Sequence, residues 1–223
     1  MKHAIMSWSS GKDSAFALYE ILKQGEYDVR ELFTTVNETH SRVAMHGLRE
    51  ELLDRQAAAM GIPLAKISIP WPCSNDLWET RIAEYLVRKK AEGVTHAAFG
   101  DLFLADIRKY RDENMAKIGM QTVYPLWLRN TRKLAEEMID CGQKAILVCV
   151  DPRQIPEAFA GREFDRRLLA DLPKAVDPCG ENGEFHSFVY ASPIFKNSGG
   201  HIRIKIGETV MRSNFVYTDV LPA

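Results

Sequence analysis

Trp8-Ser9-Ser10-Gly11-Lys12-Asp13-Ser14 lies between a short apolar run, Ala4-Ile5-Met6, and a stretch whose apolar residues recur at helical spacing. The order this implies is strand, tight polar turn, helix. Ser9, Ser10 and Gly11 are small enough for the backbone to bend close to an anion, and the first amides of the following helix, with its dipole, point at bound charge. Lys12 adds a mobile cation suited to phosphate oxygens, and the hydroxyls of Ser9 and Ser14 add donors. The stretch reads as a phosphate-binding loop; an ordinary strand-to-helix turn with an exposed lysine is the competing reading. It is not the Gly-x-x-x-x-Gly-Lys loop, because Met6 stands where that pattern needs glycine. Nor is a Gly-x-Gly-x-x-Gly fingerprint present.

Outward from this loop, apolar runs alternate with amphipathic segments. Periodicity predicts strands at residues 3–7, 29–36, 64–69, 95–99 and 144–150, with helices near 14–24, 47–60, 76–92, 107–118 and 131–141. The near-continuous apolarity of residues 144–150 suits a parallel strand buried on both faces, and the alternation predicts a Rossmann-like, doubly wound, parallel five-stranded α/β sheet. After Asp151-Pro152 the texture changes, with Pro156, Pro173, Pro178 and Pro193 and short β-rich runs at 185–190, 202–206 and 215–217. The expected division is therefore residues 1–152 for the nucleotide domain and 153–223 for a small β-rich α+β subdomain that holds substrate. Asn197-Ser198-Gly199-Gly200 reads as a turn joining two strands of its antiparallel sheet.

Composition narrows the function classes. The 223 residues, 46% of them hydrophobic, suffice for one sizeable core. With 29 basic and 30 acidic side chains the net charge is −1, which argues against a large electropositive surface for nucleic acid. The few residues before the first strand are too short for a signal peptide and no run is long enough to span a bilayer, so the expectation is a cytoplasmic protein with no membrane partner. Cys73, Cys141, Cys149 and Cys179 show no Cys-x-x-Cys spacing, which argues against zinc and redox motifs and for plain buried thiols.

In open α/β sheets ligands bind beyond the carboxyl ends of the strands. The loop Val36-Asn37-Glu38-Thr39-His40 lies at one such end, and Gly100-Asp101 lies at another, where Asp101 reads either as a magnesium ligand or as a turn residue. Arg108 and Arg111, three apart, share a helix face from which they can bind a triphosphate or a carboxylate, or simply pair with acids such as Glu113 in solvent. His46-Gly47 is either a helix-entry turn or a ligand-facing loop, and Trp127 reads as core. A second concentrated signal is Asp177-Pro178-Cys179-Gly180-Glu181-Asn182-Gly183-Glu184-Phe185-His186-Ser187. Glu184 and His186, two apart on an extended segment, are expected on one face, where with Glu181 and Asn182 they can hold an ammonium ion or substrate or take a proton from an amine. A solvated acidic hairpin is the alternative.

The loop from Ser9 to Ser14 resembles that of the N-type ATP pyrophosphatases, the PP-loop proteins, whose motif reads Ser-Gly-Gly-Lys-Asp-Ser; here the second position is Ser10. Together with Gly100-Asp101, Arg108, Arg111, Glu113, Pro125-Leu126-Trp127 and the 180–187 loop, it is similar over nearly the whole chain to the branch that includes the diphthine–ammonia ligases. The resemblance implies the adenine nucleotide alpha hydrolase-like fold, ATP cleaved between its α and β phosphates, and a carboxylate adenylated and then amidated by ammonia. In that reading Lys12, Asp13, Asp101, Glu184 and His186 are catalytic, with Asp13 and Asp101 placing Mg2+. Ser9, Ser10, Gly11, Lys12, Asp13, Ser14, Gly100, Arg108, Arg111 and the backbone at Val36 hold ATP, and Glu181, Asn182, Glu184, His186, Arg111 and Glu113 hold the acceptor. The diphthine ligases read Glu-Gly-Gly-Glu-Tyr-Glu where this chain has Glu181 to His186, a version that resembles a bacterial branch. The acceptor is then diphthine on elongation factor 2 or a small, corrinoid-related carboxylate. No glutaminase domain fits in the chain, so ammonia is free or delivered by a partner, and a homodimer is carried only as a general prior. A tRNA-modifying PP-loop enzyme and a non-enzymatic ATP sensor are the competing classes; the missing paired cysteines and basic domain argue against the first.

Overall fold

The structure, a computed structural model, describes residues 1–38, 42–43 and 48–223. Thr39-His40 and His46-Gly47 lie outside the described residues. The first sheet contains β1 (Lys2–Ser7), β2 (Tyr27–Asn37), β3 (Arg42–Val43), β4 (Leu64–Ile69), β5 (His96–Ala98) and β6 (Gln121–Val123). Its five parallel strands run in the order β4-β2-β1-β5-β6. β3 pairs antiparallel with Val36 and Asn37 on the edge of β2 that β1 has vacated beyond Ser7. Chain order moves one way from β1 to β4 and the other from β5 to β6, so the switch point, where ligands bind in such sheets, falls between β1 and β5.

Right-handed crossovers put α1 (Lys12–Gln24) and α2 (Glu50–Met60) on one face and α3 (Asn75–Ala91) and α4 (Ala105–Lys117) on the other. Burial agrees: Ile5, Phe33, Ile67, Tyr85, Leu86, Ala97 and Met115 form a core on the α3–α4 side. Met6, Phe16, Leu18, Leu52 and Leu53 belong to a larger core shared with the second sheet.

That second sheet is antiparallel, β8-β7-β10-β9, from β7 (Lys144–Val150), β8 (Phe185–Ala191), β9 (Ile204–Arg212) and β10 (Phe215–Pro222). α5 (Thr131–Asp140) precedes it and α6 (Arg166–Asp171) sits between β7 and β8. One expectation needs correcting. Residues 144–150 form a strand, but in this sheet and not as the fifth parallel strand; that place belongs to the three-residue β6. Unbroken apolarity reports burial of both faces, which an inner antiparallel strand also has, and says nothing of direction. We propose that the division between the two units falls ahead of β7, not at residue 152. The segment at 197–200 does turn the chain back, His201 bridging Ala191 antiparallel and Ile202 N donating to Tyr190 O at 2.8 Å, before the chain crosses to β9 at the opposite edge of the sheet. A tighter hairpin, β9–β10, is turned by Ser213 and Asn214 with φ of 48° and 67°, the positive pair that a two-residue type I′ turn requires.

Among the described residues no helix is long and apolar enough to cross a membrane. Cys149 and Cys179 are buried, Cys73 and Cys141 half-buried, and all four are free thiols.

Candidate active site

Where β1 ends, Trp8 N–H bonds the Phe33 carbonyl at 2.8 Å, and the chain turns out of the sheet. Ser9 Oγ meets Ser14 Oγ at 3.0 Å and accepts from Gly11 N at 3.3 Å, while Ser14 Oγ donates to Gly11 O at 3.0 Å. These bonds close the loop on itself. Ser10 has φ of 68°, the left-handed region, which accounts for glycine at this position in the PP-loop motif. α1 then starts with Gly11 and no side-chain cap, whereas Ser74, Asn130 and Asp165 cap α3, α5 and α6. Gly100, just past β5, packs against this first turn. A Cβ there would lie 3.0 Å from the Asp13 carbonyl carbon and the Ser14 nitrogen, so only glycine lets the two strand ends come this close.

Lys12 departs from the sequence expectation of a mobile cation. It is 2% exposed. Its Nζ bonds Asp13 Oδ2 at 2.8 Å and the Cys179 carbonyl, between the rings of Phe164 and Phe185 at 5.5 and 5.2 Å. Burial disfavours its charge, but Asp13, Cys179 and Glu181 outweigh that and leave its pKa raised. Burial likewise raises the pKa of Asp13, against the pull of Lys12.

The loop is stitched to the second sheet. Lys12 N donates to Ser187 Oγ at 3.1 Å, Val189 N to Ser10 O at 3.0 Å, and Gln143 Nε2 to Lys12 O at 3.0 Å. Gln56 of α2, fully buried, accepts from Trp8 Nε1 at 2.9 Å and donates to Ser10 O at 3.1 Å and Val189 O at 2.7 Å. The sequence reading named neither Gln56 nor Gln143, and Ser187 only as the last residue of the acidic stretch. A signal existed for the first: Gln56 falls on the stripe of Leu52, Leu53, Ala57 and Met60 that α2 buries, and a polar residue there must find partners.

The 177–187 loop divides its acids. Glu184 is buried and turned into its own loop, accepting from Asp177 N at 2.9 Å, Asn182 N at 2.9 Å and Asn182 Nδ2 at 3.1 Å. Asp177 Oδ2 accepts from Cys179 N and Glu181 N, both at 3.1 Å. Glu181 instead reaches across, its Oε1 accepting from Leu102 N at 2.8 Å. Burial pushes its carboxyl up to about 7, the charges of Asp13 and Asp101 adding to the rise. His186 is half-buried in β8, in register with Cys149. The contacts with the phosphate loop come from its neighbours Phe185 and Ser187.

On the far flank Arg111 pairs with Asp101, Nε to Oδ2 at 3.0 Å, with its guanidinium 4.3 Å from the Phe99 ring centre. Arg108 pairs with Asp112 at 3.4 Å and lies over Tyr124 and Trp127 at 4.8 and 4.6 Å. Trp127 is thus a half-buried platform for an arginine, not core. Glu113 is exposed beside Lys109 and is not brought to the loop; Val36 is buried within β2. Asp13 Oδ1 is a buried carboxylate oxygen without a hydrogen-bond donor, and Asp101 Oδ2, also buried, meets only the Arg111 Nε of its ion pair, out of hydrogen-bond alignment. Two hard anionic oxygens suit Mg2+, which takes one or two carboxylates and completes its shell with phosphates and water. Among the described residues no group of three or more His, Cys, Asp or Glu side chains forms a metal site on its own.

This chain matches two family models in order, the diphthamide synthase N-terminal domain over residues 1–122 and the diphthamide synthase C-terminal domain over residues 130–218. It is 28% identical to a diphthine–ammonia ligase of Danio rerio, covering 95% of this chain and 90% of that one. It is 26% identical to a diphthine–ammonia ligase of Homo sapiens, covering 95% and 86%. A solved chain described as a predicted subunit of tRNA methyltransferase from Methanocaldococcus jannaschii aligns over 77% of this chain and 88% of its own at 16% identity, with a TM-score of 0.39. With both models matched in sequence and an α/β sheet carrying the PP-loop between β1 and α1, the chain belongs to the diphthamide synthase family.

Proposed function

We propose that this protein is an ATP-dependent, AMP-forming amide ligase. An acceptor carboxylate oxygen attacks the α phosphorus of ATP and pyrophosphate leaves. The nitrogen of ammonia then attacks the acyl carbon, AMP leaves, and the nitrogen gives up a proton. One observation carries the reading: Lys12 joins the anion-binding loop to the acidic 177–187 loop within hydrogen-bond distance, so phosphate and acceptor chemistry meet at one ammonium. The α1 amides and Lys12 are suited to the phosphates and to the charge that grows on the departing pyrophosphate. Asp13 and Asp101 would hold Mg2+, which when bound supplies charge neutralisation at the phosphates. Glu181, with a carboxyl that titrates near neutrality, is the group best matched to accept the proton from nitrogen. Glu184 serves by shaping the loop that carries Glu181. The acceptor is a carboxylate of the diphthine kind, after the names of the relatives, or a smaller one.

The test is product analysis with Mg-ATP, ammonium and a panel of carboxylates, including diphthine-bearing protein and small corrinoid acids. AMP and pyrophosphate that appear only with acceptor and ammonia are the expected outcome. ADP and phosphate would overturn α,β-cleavage, and Mg-ATP binding with no turnover on any acceptor would favour the sensor reading.

A further inference from the structure

We propose that Gln56 is a positioning residue of the nucleotide site: it fixes the orientation of the Ser10–Gly11 peptide and holds Ser10 in the left-handed conformation that the phosphate loop requires. The inference rests on the nucleotide-binding reading above. Ser10 is a non-glycine residue at φ of 68° and is 1% exposed. A Cβ residue pays for that conformation, so something must hold it there. The Ser10 carbonyl is taken by two donors, Gln56 Nε2 at 3.1 Å and Val189 N at 3.0 Å. Because the peptide is planar and trans, a carbonyl pinned on that side turns the Gly11 N–H the other way, toward the hollow of the loop, where Ser9 Oγ meets it at 3.3 Å.

The amide orientation of Gln56 is dictated by its neighbours. The Trp8 indole can only donate, and the Ser10 and Val189 carbonyls can only accept, so Oε1 must face the indole and Nε2 the two carbonyls. All three bonds are buried. No other arrangement satisfies them, and neither a carboxylate nor an apolar side chain reproduces them. Gln56 therefore acts on phosphate only through the loop, never by touching it.

The experiment compares the parent with Gln56→Met, which keeps the length of the side chain and removes its donors, and with the double variant Gln56→Met/Ser10→Gly. Mg-ATP affinity is read by calorimetry and folding by thermal unfolding. Gln56→Met is expected to weaken Mg-ATP binding about tenfold, the factor set by the cost of a left-handed non-glycine residue. Ser10→Gly is expected to restore most of the affinity, because glycine adopts φ of 68° without a Cβ clash. The melting temperature is not restored to the same degree, since the Trp8 indole stays unpartnered. A parent that binds no Mg-ATP overturns the nucleotide reading itself. A parent that binds, with Gln56→Met binding equally well or with Ser10→Gly giving no rescue, overturns the role of Gln56 alone. If Gln56→Met does not fold, Gln56→Asn, one methylene too short to span the indole and both carbonyls, takes its place under the same criteria.

Discussion

The two flanks of the Ser9–Ser14 loop are built on opposite plans. On the β8 side, Lys12, Gln56, Gln143 and Ser187 are buried, and each bonds to a partner from a distant part of the chain. On the α4 side, Arg108 is about one-third exposed and is neutralised by Asp112 four residues away. Buried polar groups lose heavily when a partner is removed, because the remaining group is stranded away from water; exposed pairs lose little. The β8 flank should thus be brittle and the α4 flank tolerant.

The sharpest way to break this contrast is Lys12→Ala. Loss of an aligned phosphate contact is expected to lower acceptor-dependent pyrophosphate release by about 10²- to 10³-fold. Stranding Asp13 should cost roughly 3–5 kcal/mol in urea unfolding. Full turnover in this variant would end the PP-loop assignment. Next comes Gly100→Ala, whose added methyl group meets backbone and not a yielding side chain; about 1–3 kcal/mol of stability is the expected loss. A neutral result in chemical denaturation would mean that the strand ends sit farther apart.

Glu181→Gln tests the seam through pH. The Glu181 carboxyl rises from an ordinary 4.5 to about 7 on folding, so its contribution is fully present below pH 4.5 and is lost as pH rises through 7. Glutamine imitates the protonated form and can still accept from Leu102 N. The variant should exceed the parent by about 1–2 kcal/mol at pH 8, allowing for partial exposure, and the two unfolding curves should converge near pH 4.5. Parallel curves across that window would remove the raised carboxyl. The smallest effect belongs to the tolerant flank: Arg108→Ala should cost less than about 1 kcal/mol, the worth of a half-exposed stack and ion pair. A loss several times larger would make the two flanks alike.

The same contrast explains what could be read in the sequence. β1, the loop and α1 are legible because apolar run, small residues and helical periodicity lie next to one another, and the predicted α1 starts two residues from the observed one. Arg108 and Arg111 are legible as one helix face for the same reason, being local. The three-residue β6 leaves too short a pattern to notice, and β7 declares its burial but not its partners. Glu184 reads as a ligand-facing acid, yet its loop needs an acceptor for the amides of Asp177 and Asn182 and takes it inward. Gln143 carries no signal at all until the fold sets it beside Lys12, and Ser187, though inside the acidic stretch, carries none for its bond to the Lys12 amide.

The stitching of the phosphate loop also orders events in time. Residues 9–14 leave the ribosome early, but the bonds that complete their geometry reach 131 residues on to Gln143, 167 to Cys179 and 175 to Ser187. Contacts so far apart in the chain form late and bear the cost of loop closure before they return any stability. A nascent chain that has finished only the parallel sheet therefore carries the PP-loop motif without the partners that hold its geometry. The geometry of the loop is complete only when β8 docks.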